Sequence, residues 1–446
     1  MSGSTLILVA LAGIFLLLFL VIRTKLHAFV ALLLVSLLVG IAAGMPLNEV
    51  ITSIQNGMGG TLGFVAVVVG LGAMFGKMLE VSGGAERLAA TMINKFGEDK
   101  ATWALGITGF IVAIPVFFDV GFIILVPIVY GLARKTGKSL LHYGIPLLAG
   151  LAVTHSFIPP TPGPIAVAQL VNAELGWVIL FGAIAGIPAM ILAGPVFGRY
   201  IGKKIHLEIP DYMEMEEREY DKELPSFGMV TALILIPLVL ILLNTVTGVL
   251  LEEGNTIRNI FTFLGHPFVA LTIATLLTFY LLGTKRGYTR QEVQDIATKS
   301  LEPAGIIILV TGAGGVFKQV LIDSGVGEVL GDMMGDSALP PIVLAFLIAT
   351  AVRVAQGSAT VAMVTAAGLI TPLLEMVGMT GPALGLIVIA IASGATVLSH
   401  VNDSGFWLVN RYFGMDVKDT LRSWTVMETI IGLTGFVVVL IISFFI

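Results

Sequence analysis

The sequence predicts an all-α protein that crosses a membrane many times, built from two inverted repeats with broken helices near the membrane midplane. Of its 446 residues, 57% are hydrophobic and only 12% are charged, whereas a soluble domain carries about 25% charged residues. Apolar runs at 6–22, 29–43 and 226–243 approach or exceed the roughly 17 to 25 residues that a bilayer-crossing helix needs. The positions of the basic residues and an internal repeat predict how these spans are arranged.

The composition excludes several classes of protein. The chain has no cysteine, so it has no disulfide, no thiolate metal site and no cysteine nucleophile. Its net charge of −5 lies in the loops, without the basic patch that binds nucleic acid. We expect neither a metal nor a cofactor, and the absence of a His-Glu-x-x-His motif argues against a membrane enzyme.

The basic residues of the loops predict which ends of the spans face the cytoplasm, because short cytoplasmic loops carry an excess of lysine and arginine. Segments 45–60 and 322–341 contain acidic residues and no basic residue, which places them on the other side. Ten full crossings and two hairpins would bring every basic cluster to the cytoplasm and leave both chain ends extracytoplasmic. The clusters lie at 23–25, 134–138, 199–204, 285–290 and 411–422.

Two apolar stretches are predicted to be re-entrant hairpins rather than single spans. The stretch 103–133 lies between the basic residues Lys100 and Arg134, so a single crossing would leave one flank on the wrong side. The stretch 340–372 has acidic or neutral flanks and is expected to enter from the opposite side. Two full crossings in each stretch would give the same sidedness, so the loop charges leave that alternative open.

An internal repeat relates the two halves of the chain. Shifted by 242 positions, segment 63–88 aligns with 305–330, and ten of the 26 aligned residues are identical. Because the first copy would run inward and the second outward, the repeat is predicted to be inverted, which is an architecture of secondary transporters. We expect membrane repeats at 1–205 and 226–446, each with about five spans and one hairpin, joined by a cytoplasmic acidic linker at 206–225.

Four interruptions of the apolar spans are expected to form the functional site. Irregular backbone in hydrocarbon costs several kcal/mol per unpaired group, so it persists only beside protein or a water-filled cavity. Brought together by the pseudo-two-fold axis, free backbone groups and half-helix dipoles would bind a small polar solute. The interruptions are tip 1 (115–121) and tip 2 (353–360) of the hairpins, the proline break (154–164) and the polar break (399–405).

Ionisable side chains in these interruptions are candidates for binding and proton transfer. Asp119 in tip 1 is a charge in an apolar hairpin, where such residues are usually functional; the alternative is a partner for a buried base. Arg353 in tip 2 suits a carboxylate, which it can bind through two parallel hydrogen bonds; the alternative is a salt bridge that holds the hairpin. His155 and His400 could titrate near neutral pH or be structural, and Asp403 is a further candidate proton carrier.

Uncharged polar residues are candidates for contacts with the hydroxyls of the solute. Gln356, Ser358 and Thr360 in tip 2 carry amide and hydroxyl groups that can bind a polyol or cap the backbone. The set of substrate-binding candidates is completed by Asn402 and Ser404 in the polar break and by Thr154 and Thr161 in the proline break.

Six motifs carry a family resemblance that extends over essentially the whole chain; they lie at 59–63, 70–77, 117–121, 312–320, 356–362 and 399–407. At these motifs the sequence resembles the gluconate:proton symporter family, the gluconate permeases, within the ion transporter superfamily. The superfamily implies a two-hairpin inverted-repeat fold, often a homodimer, in which a transport domain moves against a scaffold. The family implies proton-driven uptake of sugar acids. Typical members have Glu where Asp119 stands, and many have His where Thr161 stands.

The resemblance leads us to expect a carrier in the bacterial inner membrane, in contact with lipid, that imports gluconate or a related sugar acid by proton symport. Arg353 would hold the carboxylate of this anionic substrate, and Asp119 would carry the proton. The alternatives are a carrier for another small hydroxy or amino acid, such as D-serine or glycerate, and a sodium-coupled anion carrier. A channel is least favoured, because inverted repeats with broken helices are typical of carriers. An exchange assay would distinguish the two, since a channel shows neither saturation nor counterflow.

Overall fold

The protein is helical throughout the part of the chain that a computed structural model describes, residues 3–210, 223–325 and 339–446. These residues contain no β-strand. Eight of their helices are long and apolar enough to cross a membrane. The prediction of an all-α polytopic membrane protein is therefore confirmed.

The described part of the N-terminal half is divided among ten α-helices. They are α1 (Gly3–Ile22), α2 (Ala28–Ala42), α3 (Leu47–Val81), α4 (Gly84–Phe96), α5 (Ala101–Val112), α6 (Phe118–Thr136), α7 (Leu140–Phe157), α8 (Pro162–Leu170), α9 (Leu175–Ile191) and α10 (Phe197–Lys204). A π-helical turn at Leu192–Val196 joins α9 and α10 into one continuous span.

The described part of the C-terminal half also contains ten α-helices. They are α11 (Phe227–Leu250), α12 (Thr256–Leu264), α13 (Pro267–Thr278), α14 (Arg290–Asp323), α15 (Pro341–Gln356), α16 (Ala359–Met376), α17 (Pro382–Gly394), α18 (Ser404–Tyr412), α19 (Val417–Thr420) and α20 (Val426–Ile442). π-Helical turns at Phe279–Gly283 and Leu421–Thr425 extend α13 and join α19 to α20.

Four kinds of element recur in the same order in the two halves. A long helix (α3 or α14) is followed by a helix pair with a short tip (α5–α6 or α15–α16), an interrupted helix (α7–α8 or α17–α18) and a final span. The helix pairs occupy the segments in which the sequence predicts hairpins. Their re-entry into the membrane and the inverted relation of the halves stay predictions. Linker residues 211–222 and the repeat residues Glu328 and Leu330 lie outside the described residues.

The long helices α3 and α14 pack against each other and connect the two halves. Glycines allow their backbones to approach. A β-carbon on Gly57 would lie 2.6 Å from the carbonyl oxygen of Gly315, and one on Gly315 would lie 2.7 Å from the carbonyl oxygen of Gly57. Small residues are the usual means by which membrane helices come this close.

The first arm of each helix pair packs against the interrupted helix of its own half. In the N-terminal half α5 lies against α7, and a β-carbon on Gly150 would come within 2.1 Å of the carbonyl oxygen of Gly106. In the C-terminal half α15 lies against α17, and a β-carbon on Gly394 would lie 2.3 Å from the carbonyl oxygen of Phe346. These close contacts place each tip beside an interrupted helix.

Candidate functional site

A cavity of about 500 Å³ lies between the two tips, the polar break and the end of α7. This volume falls in the range of roughly 300 to 1,000 Å³ that is typical of small-molecule sites. Tip 1 contributes residues 117–120, tip 2 contributes Arg353 and residues 356–360, and the polar break contributes residues 402–405. Its wall is completed by Ala152, His155 and Ser156 of α7, by Pro303 and Ile307 of α14, and by Trp424 and Glu428 near the start of α20. We refer to this space as the central cavity.

Three helices begin at the central cavity. α6 starts at Phe118, α16 at Ala359 and α18 at Ser404, and all three residues line the cavity. The first turn of a helix has backbone N–H groups without intrahelical partners and an effective charge of roughly +0.5. The cavity is therefore surrounded by electropositive helix ends, an arrangement that favours an anion.

The local sequence determines where two of these helices start. Ser358 caps α16, accepting a hydrogen bond from the Val361 N–H at 3.4 Å. Asp403 caps α18, accepting one from the Gly405 N–H at 3.1 Å. Gly357, between α15 and α16, has a φ of +94°, a conformation that a side chain would strain. These short polar residues turn the chain sharply enough for both helix ends to face the cavity.

Arg353 is buried and forms an ion pair with Asp403. Its Nη2 lies 2.6 Å from Oδ2 of Asp403, and only 2% of its side chain is exposed. The same carboxylate oxygen accepts a hydrogen bond from the Ser399 hydroxyl, which in turn accepts one from Nε1 of Trp424 at 2.7 Å. Nε and Nη1 of Arg353 have no partner among the described residues. The guanidinium thus keeps two donors that a carboxylate could use after a local rearrangement.

Two further carboxyl groups line the cavity. Asp119 lies in the first turn of α6 with its side chain exposed, and no hydrogen bond to it is found in the described part of the chain. Glu428 is 5% exposed, and its Oε1 has no partner among the described residues. With Asp403, three carboxyl groups and one guanidinium surround the same space.

The uncharged polar residues of tip 2 and the polar break also meet at the cavity. Gln356, Ser358, Thr360, Asn402 and Ser404 all line it. The amide of Asn402 donates to the carbonyl oxygen of the tip-2 backbone at 354 over 3.0 Å, which holds the polar break against tip 2. Its Oδ1 has no partner among the described residues. Amide and hydroxyl groups here can donate to and accept from the hydroxyls of a bound solute.

The structure brings nine of the twelve predicted site residues to the central cavity, and Thr154, Thr161 and His400 do not line it. Thr154 donates to the carbonyl oxygen of Phe110 at 2.8 Å, and Thr161 donates to that of Ile158 at 2.6 Å. Nε2 of His400 lies 3.0 Å from the tip-2 carbonyl oxygen at 354. These three side chains fix the backbone around the site.

His155 lies at the edge of the cavity, with its ring 6.4 Å from that of Phe117 in an edge-on arrangement. Its Nδ1 is buried without a partner in the described part of the chain. Glu428 was not among the residues that the sequence singles out. The signal that could have found it is an acidic residue at the start of an apolar span, since charges at such depth are usually functional.

The chain is similar to known permeases over nearly its whole length. The family model described as GntP family permease matches residues 5–445. The low-affinity gluconate transporter of Escherichia coli strain K12 is 45% identical over 438 residues, covering 98% of each chain. The Gnt-II system L-idonate transporter of the same strain is 42% identical over 437 residues, covering 98% of this chain and 99% of the relative. These relatives are named as transporters, which confirms the expectation that the chain is not an enzyme.

A solved membrane transporter has a similar fold. The YdaH transporter of Alcanivorax borkumensis superimposes with a TM-score of 0.66 at 14% identity, covering 94% of this chain and 98% of the other. At this low identity the likeness concerns the fold alone.

Proposed function

The chain belongs to the GntP family of permeases, and from this premise we propose that it imports gluconate or a closely related sugar acid by proton symport across a bacterial inner membrane. The observation that carries the proposal is the central cavity, where three helix N-termini and Arg353 surround a space that is also lined by amide and hydroxyl groups.

The helix ends and Arg353 support binding of the carboxylate. The N-termini of α6, α16 and α18 offer free N–H groups at the cavity surface, where an anion gains both hydrogen bonds and the favourable helix dipole. Arg353 lies behind Asp403. A carboxylate that replaced Asp403 would use the free Nε and Nη1 donors, and bidentate pairs of this kind are strong and directional.

The amide and hydroxyl side chains support binding of the remaining chain of the solute. A sugar acid has several hydroxyl groups, each able to donate and accept. Gln356, Ser358, Thr360 and Asn402 lie on one side of the cavity and supply both kinds of partner. A solute without hydroxyls would leave these groups unpaired on binding, which disfavours it.

The charges of the cavity support coupling to protons. Asp119, Asp403 and Glu428 face a single guanidinium, so the fully ionised cavity carries an excess of negative charge before any anion enters. Uncompensated charge inside a membrane protein is costly. Uptake of at least one proton relieves this repulsion, and the anion and the proton therefore favour each other's binding.

Asp119 is the leading candidate for the group that takes up this proton. It is accessible from the cavity and has no hydrogen bond in the described part of the chain, whereas Asp403 is held by Arg353, Ser399 and the backbone of α18. Asp403 is the second candidate, because its protonation would release Arg353 to the carboxylate of the solute.

The test is uptake of radiolabelled gluconate by purified protein in proteoliposomes with an imposed pH gradient. The wild type should accumulate gluconate above its external concentration, and replacing sodium with choline should not change the rate. Asp119→Asn should lose accumulation while keeping gluconate–gluconate exchange, since exchange returns each proton with its anion. Asp295→Asn, a substitution at an exposed carboxylate that does not line the cavity, is the matched control.

Two outcomes would contradict parts of this proposal. If Asp119→Asn accumulated gluconate to the wild-type level, Asp119 would not be the proton carrier, and Asp403 would become the leading candidate. If the wild type took up no gluconate, in a preparation that thermal melting shows to be folded, the substrate assignment would be rejected.

A further inference from the structure

A second, smaller cavity of about 170 Å³ adjoins the central cavity. Phe117, Val120 and Pro303 line both spaces, so the two cavities lie on opposite sides of the same wall. We call the smaller one the lysine cavity, because its lining includes Lys77 of α3 and Lys299 of α14.

The charges of the lysine cavity differ in sign from those of the central cavity. Lys77 is bound to both carboxylate oxygens of Glu80, at 2.8 and 2.9 Å, so this pair is locally neutral. Lys299 is exposed, and no ion pair or hydrogen bond of its ammonium group is found in the described part of the chain. The lysine cavity therefore has one uncompensated positive charge, whereas the central cavity has an excess of carboxyl groups.

The lysine cavity lies toward the predicted cytoplasmic side. Lys77 is in the last turns of α3, and Lys299 lies in the third turn of α14, which starts at the basic cluster 285–290. Loops rich in lysine and arginine face the cytoplasm. Pro115 and residue 116 of tip 1 complete the boundary, so the lysine cavity lies between tip 1 and the starts of the cytoplasmic loops.

We propose that the lysine cavity is a second, weaker anion site, which receives the carboxylate of the solute between the central cavity and the cytoplasm. This inference rests on the proposed function, since it takes a carboxylate as the transported group. Phe117 is the largest of the three side chains that separate the two sites. It lines both, and its ring contacts His155 on the central side.

The proposed order of events follows from the charges. When a central carboxyl group loses its proton toward the cytoplasm, the central cavity becomes repulsive to the bound anion. The uncompensated positive charge of Lys299 then lies across Phe117, in the adjoining cavity. A cation at the mouth of a cleft also raises the local concentration of anions and the rate at which they enter, so the same site should assist entry from the cytoplasmic face.

The experiment compares the two faces of the membrane. Gluconate exchange is measured in right-side-out and inside-out vesicles from the same cells. Lys299→Gln should raise the half-saturating gluconate concentration in inside-out vesicles roughly two- to five-fold, the effect expected of about 0.4 to 1 kcal/mol from one partly solvated charge. The value in right-side-out vesicles should not change.

Three further variants separate an electrostatic role from a structural one. Lys299→Arg keeps the charge and should behave as the wild type. Glu80→Gln releases Lys77 and should lower the half-saturating concentration at the cytoplasmic face, the opposite sign. Lys285→Gln, which removes an exposed lysine near the same end of the membrane but outside both cavities, should have no effect.

The proposal is overturned if Lys299→Gln leaves the half-saturating gluconate concentration unchanged at both faces of the membrane, or raises it equally at both. It is also overturned if Lys285→Gln raises this concentration at the cytoplasmic face alone. Wild-type vesicles that fail to exchange gluconate from either face would instead reject the proposed function. The two failures are therefore distinguishable.

Discussion

Arg353, which is buried, forms an ion pair with Asp403, whose side chain is 13% exposed, and each charge depends on the other. Removing one partner of such a pair typically costs about 3 to 5 kcal/mol, because the remaining charge stays buried without compensation. Arg353 has two donors without partners, and Asp403 is shared with Ser399 and with the backbone of α18. If Asp403 were protonated, Arg353 would be free to bind the carboxylate of a solute. Protonation of this one side chain would therefore favour binding of the anion.

The first prediction concerns the geometry of this guanidinium. Arg353→Lys keeps the positive charge but replaces a planar fork of donors with a single ammonium group. We expect the half-saturating gluconate concentration to rise roughly ten-fold or more, because a hydrogen bond between charged groups contributes about 1.5 to 3 kcal/mol. Exchange assays in proteoliposomes measure this change. Arg258→Lys, at an arginine outside the central cavity, is the control. An unchanged half-saturating concentration for Arg353→Lys would show that the guanidinium does not hold the carboxylate through two hydrogen bonds.

The sequence could predict Asp119 and Arg353 as candidates because each is a lone charge in an apolar stretch. Burying a charge there is energetically costly, so such residues are usually functional. Glu428 escaped that reasoning because it lies only six residues after Arg422, at the edge of a basic loop. Only the fold, which packs the start of α20 beside the polar break, brings it to the cavity. Contacts between residues far apart in the chain are the part of the site that local patterns do not contain.

The two interrupted helices differ in the number of backbone N–H groups at the start of their second segments, α18 and α8. In the polar break, α18 starts with Ser404, which has an N–H group to offer to the cavity, while the N–H of Gly405 donates to the capping Asp403. In the proline break, α8 starts with Pro162 and has Pro164 two residues later, and neither has an N–H group. The sequence predicted both breaks, but the loss of donors leads us to expect that the proline break is the poorer anion site, and its Thr161 lies outside the central cavity.

The second prediction concerns tip 2, which fits against the polar break. Gly357 has a φ of +94°, and a β-carbon there would lie 2.3 Å from the carbonyl oxygen of Asn402. Gly357→Ala should therefore lower the melting temperature and abolish exchange, because the tip must move away from the break. Gly378→Ala is the matched control, since Gly378 also has a positive φ, of +65°, but open space around its α-carbon.

The comparison of these two alanines separates backbone strain from the clash. Strain from a positive φ costs a non-glycine residue roughly 1 to 2 kcal/mol, and both variants should show that loss in thermal melting. If Gly378→Ala also abolished exchange, or if Gly357→Ala retained it, the close fit of tip 2 to the polar break would not be needed for transport.

At the scale of the whole molecule, the halves interlock through α3 and α14 rather than standing side by side. The loop charges and the repeat could predict the order of the long helix, the helix pair and the interrupted helix in each half, because these features depend on local composition. The ten full crossings stay a prediction, and eight helices in the described part of the chain are long and apolar enough to span a membrane. The partner of each helix could not be predicted in this way. Recurrence in the repeat does not identify the glycine at the crossing. Gly315 lies at the crossing although it aligns with Ala73, whereas Gly305 recurs as Gly63 and a β-carbon on it would meet open space.

The third prediction uses these two glycines. A β-carbon on Gly315 would lie 2.0 Å from the hydroxyl oxygen of Thr61 and 2.7 Å from the carbonyl oxygen of Gly57. The second contact is with backbone and cannot be relieved by a rotamer change. Overpacking of this kind costs about 1 to 3 kcal/mol. Gly315→Ala should therefore lower the melting temperature in detergent, and the protein that remains folded should bind gluconate normally, since neither residue lines the central cavity.

Gly305→Ala tests whether the loss comes from the crossing or from changing any glycine of α14. Alanine is favoured over glycine by roughly 0.5 to 1 kcal/mol in a helix interior, and at position 305 it meets no other atom within 4 Å. We expect this variant to melt at or above the wild-type temperature. Equal melting temperatures for the two alanine variants would mean that α3 and α14 can separate without cost, and the halves would then be held together by the contacts around the central cavity instead.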